Sequence, residues 1–164
     1  MSVKQFGDRL YVDCVKTLNR CEYQKQLDEF AKTVAQQKNF VAGYIDAGGI
    51  GSAVAEFAGQ KISPRLKPFV FTSTSKTPAY ELFRSKVMQR GQILFSPEAA
   101  KLVRADVLNV SRIVTESGQV RYTADSNDEG HGDIVSGIVL ALQAWHDFPL
   151  QASLPIPYSR ATAF

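Results

Sequence analysis

Between Ile134 and Trp145 the chain is apolar on nearly every helical face, with Ile134, Val135, Ile138, Val139, Leu140 and Leu142 all within twelve positions. A helix patterned this way has no polar face to give to water, so other elements must wrap it on most sides. The chain has 164 residues, enough for one domain with a substantial core. Its hydrophobic fraction of 45% is ordinary for a globular protein, so the wrapping has to come from well-patterned segments rather than from excess greasiness.

Those segments alternate in type. Arg9 to Lys16 alternates polar and apolar residues, as a strand with one buried face does. Tyr23, Leu27, Phe30 and Val34 then recur at helical spacing until Asn39. The apolar run Phe40-Val41-Ala42-Gly43-Tyr44-Ile45 predicts a buried strand ending at Asp46. A helix carrying Ile50, Val54 and Phe57 follows, with Gly59 as its stop. Leu66 to Phe71 is a short strand, with Pro68 suggesting that it lies at an edge or begins irregularly. Thr77 caps a helix opening on Pro78, carrying Leu82, Phe83 and Val87 and closing at Gly91. Gln92 to Phe95 is a strand, and Ser96-Pro97 opens a helix to about Leu108. Val110 to Thr115 and Gln119 to Ala124 flank Glu116-Ser117-Gly118 as a hairpin. The loop from Asp125 to Gly130 leads into the apolar helix, and 148–164, with Pro149, Pro155 and Pro157, forms an extended tail. Strands alternating with helices make an α/β domain with a mixed central sheet and helices on both faces.

Two acids occupy special places in this order. Asp46 stands where the first long apolar strand ends, just before Ala47-Gly48-Gly49-Ile50-Gly51. Asp133 opens the apolar helix, in His131-Gly132-Asp133. Each has a plain structural explanation: aspartate before glycines favours a turn, and a negative charge suits a helix N-terminus. Together they also suit a hard divalent cation, because magnesium and manganese prefer carboxylate oxygen and α/β sheets gather ligands at strand ends. His131 fits a loop residue or an orienting partner better than a ligand, since magnesium prefers oxygen. The glycines do not form a nucleotide loop: the third glycine of G-x-G-x-x-G would fall on Val54, and no G-K-[ST] follows. Gly49 and Gly51 serve instead to turn the chain tightly beside a backbone phosphate.

Tyr44-Ile45-Asp46 with Gly49-Ile50-Gly51, and the later His131-Gly132-Asp133 ahead of an apolar helix, resemble the nuclease domain of the large subunit of tailed-phage terminases. The resemblance covers roughly residues 8 to 147, so that 1–147 reads as a terminase-like nuclease domain. It implies a ribonuclease-H-like fold and a metal-dependent endonuclease that cuts concatemeric double-stranded DNA. It further implies Asp46 and Asp133 as catalytic metal ligands, with two Mg2+ or Mn2+ ions in the intact domain. The partners implied are DNA, the terminase ATPase half, the small subunit and the portal protein, in the cytoplasm of a bacterial host. The family's first carboxylate lies on an opening strand ahead of the second. Nothing upstream of Asp46 has that form, since Asp8 sits in the turn-like Phe6-Gly7-Asp8 and Asp13 lies inside a strand. The domain therefore reads as lacking its first strand.

Charge and cysteines add little to this. A formal net charge of +3 permits contact with nucleic acid without demanding it. Lys76, placed in the loop before the third helix, and Arg112 and Arg121, on the hairpin, are candidates for phosphate contacts that position duplex without reading its sequence. Asp125, Asp128 and Glu129 either repel DNA or lend an oxygen to a metal. Met1-Ser2-Val3-Lys4-Gln5 lacks the apolar core of a signal peptide, and no run reaches membrane-spanning length. Cys14 and Cys21 form neither a metal motif nor a disulfide framework and are expected as reduced, partly buried thiols. Two other classes remain: a DNA-binding or docking remnant lacking the first acid, and an α/β enzyme holding a small phosphorylated ligand at the glycines after Asp46.

Overall fold

A computed structural model describes residues 1–18, 22–89, 91–124 and 132–149. His131, Asp125, Asp128, Glu129, Cys21 and the part of the tail from residue 150 onward lie outside the described residues. The chain opens with a hairpin in which β1 (Ser2–Phe6) runs antiparallel to β2 (Arg9–Cys14). Gly7 makes the turn at φ 62°, a left-handed conformation that suits glycine. After α1 (Tyr23–Gln36) come β3 (Gly43–Asp46), α2 (Gly51–Lys61) and β4 (Leu66–Phe69), a crossover unit with β4 parallel to β3. Next are α3 (Ser73–Met88), β5 (Ile93–Phe95), which pairs parallel with β2, and α4 (Pro97–Leu108). The antiparallel pair β6 (Val110–Val114) and β7 (Val120–Ala124) precedes α5 (Asp133–Asp147).

The α/β class expected from the alternation is what the chain forms. Among the described residues its ladders fall into three groups, β1-β2-β5, β3-β4 and β6-β7. The first two are joined by α5, which packs on both β1 and β3. At the C-terminal end of α5, Trp145 Nε1 donates to Gln5 Oε1 on one side at 2.8 Å, and Tyr44 Oη donates to Asp147 Oδ2 on the other, also at 2.8 Å. Nearer its start, Gly137 lies against Met1. β1 therefore runs alongside α5 in the same direction, while Tyr44 of β3 meets the C-terminal end of α5.

Alternation along β3 and β4 sorts the two faces of that pair. Tyr44 lies level with Lys67, and Asp46 with Phe69, so these four share a face. Tyr44 reaches α5 from that face, and Phe69 belongs to the core that α5 organises. Leu66 faces the other way, where α2 covers β3 and β4. Helices thus lie on both faces, α5 on one and α2 on the other.

The core is built around α5. Val135, Ile138, Val139 and Leu142 are fully buried and meet Leu10 and Val12 of β2, Tyr80 and Phe83 of α3, and Val103 of α4. Each such side chain contributes roughly 1.5–3 kcal/mol of burial, so this helix holds a large share of the stability. Among the described residues no helix is long and apolar enough to cross a membrane.

Several elements depart from the sequence reading. The N-terminal residues form β1, a short edge strand whose Lys4, Gln5 and Phe6 are exposed. α1 ends at Gln36, before Asn39, and of its expected stripe only Leu27 is buried while Tyr23 is exposed. α2 buries Ala55 and Ala58, whereas Ile50 is 88% exposed and Phe57 is 37% exposed. Small residues face the sheet because α2 sits close to β4, with the Leu66 carbonyl 3.4 Å from where a Cβ on Gly59 would stand. Gly59 is accordingly inside the helix rather than at its end. α3 starts a turn early: Thr72 Oγ1 accepts from the Ser75 N–H and Ser75 Oγ accepts from the Thr72 N–H, forming a capping box. That box, with Thr77 Oγ1 donating to the Val120 carbonyl at 3.0 Å, carries the helix through Pro78. α3 ends at Met88, short of Gly91, and β4 stops at Phe69. β5, α4, the β6–β7 pair and α5 lie where the sequence placed them, give or take a residue or two.

Candidate metal centre

Asp46 is held by its own neighbourhood. β3 delivers it to the strand end on the α5 side, exposed, and its Oδ1 accepts the Gly48 N–H at 2.9 Å. The chain then folds back tightly, with the Gly51 N–H donating to the Gly48 carbonyl at 2.9 Å. Gly49 takes φ 54°. A Cβ on Gly51 would stand 2.1 Å from the Asp46 carbonyl oxygen, so only glycine permits α2 to start this close to the acid. Gly49 and Gly51 are thus required, but to turn the backbone around Asp46. The N–H groups of Gly48, Gly51 and Ser52 are all engaged within the turn. A phosphate held at the glycines would have to use donors other than these three.

Asp133 is held from elsewhere. It is the first residue of α5, exposed, and carries no hydrogen bond or ion pair among the described residues. Gly132 before it is left-handed at φ 76°, and an added Cβ would lie 2.8 Å from the Ala124 methyl at the end of β7. Having no side chain, Gly132 cannot cap the helix. The acceptor comes from α4, where Asp106 Oδ2 takes the Val135 N–H at 2.8 Å. One turn of α5 is also tied to α3 through Tyr80 Oη and Ser136 Oγ, 2.9 Å apart.

The Tyr80 hydroxyl joins the two acids electrostatically. Burial raises its pKa first; the hydrogen bond with Ser136 works against this, while the negative charges of Asp106, Asp133 and Asp46 push it further up. Both candidate ligands therefore act on one buried ring that Tyr122 stacks at 5.0 Å. A cavity of about 250 Å³ opens beside Asp133, walled by Ile134 and Gly137 on one side and Met1, Val15 and Lys16 on the other. Asp46 does not line it. In donor chemistry the pair fits a hard cation, being two exposed carboxylates. In number it falls short: among the described residues no group of three His, Cys, Asp or Glu is placed to hold a metal.

The basic candidates are scattered. Lys76 lies inside α3 rather than in the loop before it, with its ammonium 5.6 Å from the Tyr80 ring centre. Arg112 Nε donates to Glu81 Oε1 at 2.8 Å, which ties β6 to α3 and lowers the Glu81 pKa, so this arginine is engaged within the protein. Arg121 is exposed on β7. The sequence reading missed Asp106, which is 6% exposed on the inner stripe of α4 with Ala99 and Val103. An acid at an apolar helical spacing, and a glycine where α5 needs a capping side chain, were the only signals of it.

The chain is an α/β domain with one acid at the end of β3 and another at the first turn of α5, the helix that packs on β3. Solved structures similar in fold include those of the large terminase nuclease from thermophilic phage G20c. The magnesium-bound form matches at 26% identity with a TM-score of 0.51, over 71% of this chain and 60% of that one. The cobalt-bound form matches at 25% identity and 0.55, over 77% and 64%. A third structure matches at 20% identity and 0.55, over 87% of this chain and 91% of that one, and speaks for the fold alone. In the two metal-bound forms this chain spans less than two-thirds of its counterpart. No protein-family model matches the chain, and no curated protein does. The resemblance carried by Asp46 and Asp133 in the sequence is thus borne out at the level of fold.

Proposed function

We propose that this chain is a divalent-metal-dependent endonuclease domain of the terminase kind, acting on double-stranded DNA. One observation carries the reading: the negative charges of Asp46 and Asp133 both act on the Tyr80 hydroxyl, in a chain shaped like a nuclease solved with magnesium and with cobalt. Asp46 is the residue to share between ions, and Asp133 the one to hold a single ion. Mg2+ or Mn2+ held there would supply Lewis acidity at the scissile phosphodiester. The Gly48 N–H fixes one oxygen of Asp46 and leaves the other free to bind. Arg121 and Lys76 remain candidates for backbone phosphates. The reading brings with it the partners of a packaging motor, namely the ATPase half, the small subunit and the portal, in a host cytoplasm.

We also propose that residues 1–147 are a nuclease domain that takes one further strand, between β1 and β3. β1 is an edge of one ladder and β3 an edge of the other, and the single helix α5 touches both. A helix is about 10–12 Å across with its side chains, and neighbouring strands are about 4.8 Å apart, so the interval suits one strand. An aspartate on that strand would supply the third carboxylate.

The alternative, a DNA-binding remnant without catalysis, is favoured by the two-acid count among the described residues. Nicking of supercoiled plasmid in Mn2+ separates the two. The nuclease reading expects slow cleavage by this chain, faster cleavage with an aspartate-bearing strand added, and none after Asp46→Ala or Asp133→Ala. Cleavage that survives both alanine substitutions sinks the assignment. DNA binding without any cleavage, even with the strand restored, leaves the remnant.

A further inference from the structure

We infer that Asp106 is the remote cap of α5 and, through it, a positioning residue for Asp133; this rests on the metal reading of Asp133. A helix start leaves N–H groups without intrahelical acceptors, and a side chain at the residue before the helix ordinarily takes the one at the second or third position. Here that residue is Gly132, buried and pressed against Ala124, with no room for a capping side chain. Val135 is the third residue of α5, and its N–H goes to Asp106. The function of the missing cap has moved to α4.

The burial of Asp106 makes sense only in this light. Ala99, Val103 and Asp106 form one inner stripe of α4, and the third member breaks its apolar pattern. A carboxylate 6% exposed is costly unless hydrogen-bonded. The N–H and the positive end of the α5 dipole supply what it needs. Asp133 lies two residues before Val135 in the same turn, so fraying of that turn moves the acid. Asp106 acts by holding backbone, not by adding a ligand.

The test pairs Mn2+ binding, followed by electron paramagnetic resonance, with amide hydrogen exchange at Val135 in the full chain. Asp106→Ala removes the acceptor, and Asp106→Asn keeps an acceptor oxygen while removing the charge. Positioning predicts about 10-fold weaker Mn2+ binding and faster Val135 exchange in the alanine variant. It predicts near wild-type values for both in the asparagine variant. Asp106→Leu, apolar and similar in volume, serves where the alanine variant does not fold. Wild-type affinity in a folded alanine or leucine variant overturns the inference, and so does an asparagine variant as weak as alanine, which would make the charge the active property. Should wild-type chain bind no Mn2+, the metal reading has failed; slower Val135 exchange with Asp or Asn than with Ala then still supports the cap, and equal rates overturn it.

Discussion

The two halves of the candidate centre are held by opposite means. Asp46 is fixed within a six-residue stretch by its own strand, one N–H of the following turn and a glycine that lets α2 begin against its carbonyl. Asp133 depends on three distant elements: α4 through Asp106, α3 through Tyr80, and β7 through the contact at Gly132. Locally held groups keep their geometry while the rest of a protein shifts. Remotely held groups report on the whole fold, and each can be weakened from far away.

Substitutions can break this contrast, beginning with the largest expected loss. Gly51→Ala places a Cβ on top of the Asp46 carbonyl oxygen, backbone that has nowhere to go. We expect a loss of about 3 kcal/mol in urea unfolding, with amide shifts concentrated around residues 46–52. Gly132→Ala meets a methyl rather than backbone but also needs a left-handed φ, and should cost about 2 kcal/mol. Adding Ala124→Gly relieves the clash and leaves the backbone strain, so the double variant should recover about half of the loss. Full recovery would mean that the φ of Gly132 costs nothing. Tyr80→Phe removes the bond to Ser136 and should cost about 1 kcal/mol. Ser136→Ala should cost a similar amount, and the pair together little more than either alone. Additive losses would show that the two hydroxyls do not act as one tie.

The smallest effect is electrostatic and sits at the far end of α5. Tyr44 is pushed up to about 12, first by burial and then by its bond to Asp147. Its folded pKa exceeds the ordinary value near 10, so the contribution to stability is full below pH 10 and disappears as pH rises toward 12. Absorbance titration should find Tyr44 ionising late, and Tyr44→Phe should flatten stability between those pH values. Asp147→Asn should lower the Tyr44 pKa only in part, because burial is the larger cause.

The same contrast explains what was legible in the chain. Asp46 and its glycines, the Ser96-Pro97 start of α4, the turn at Glu116-Ser117-Gly118 and the all-round apolar α5 are local patterns, and all were readable. What escaped was decided by packing between remote segments. Ile50 and Phe57 had the helical spacing of a core stripe, but the close approach of α2 to β4 selects Ala55 and Ala58 instead. Pro78 looked like a helix start until Thr72 and Ser75 supplied a better one. β1 carries too much polar exposure to look like a strand without its partner β2. Arg112 reads as a free surface cation unless one knows that Glu81 faces it across α3. Asp106 has no local pattern at all, because its partner is an N–H on another helix.

The bridging of two ladders by α5 has a consequence for the order of events on the ribosome. α5 follows every described strand, and synthesis at roughly 5–20 residues per second leaves the α5-facing sides of both ladders uncovered while it is awaited. Until that helix docks, the faces of β3 and β4 turned away from α2 have no lid. A nascent chain of this protein therefore depends on protection from aggregation until α5 has been made.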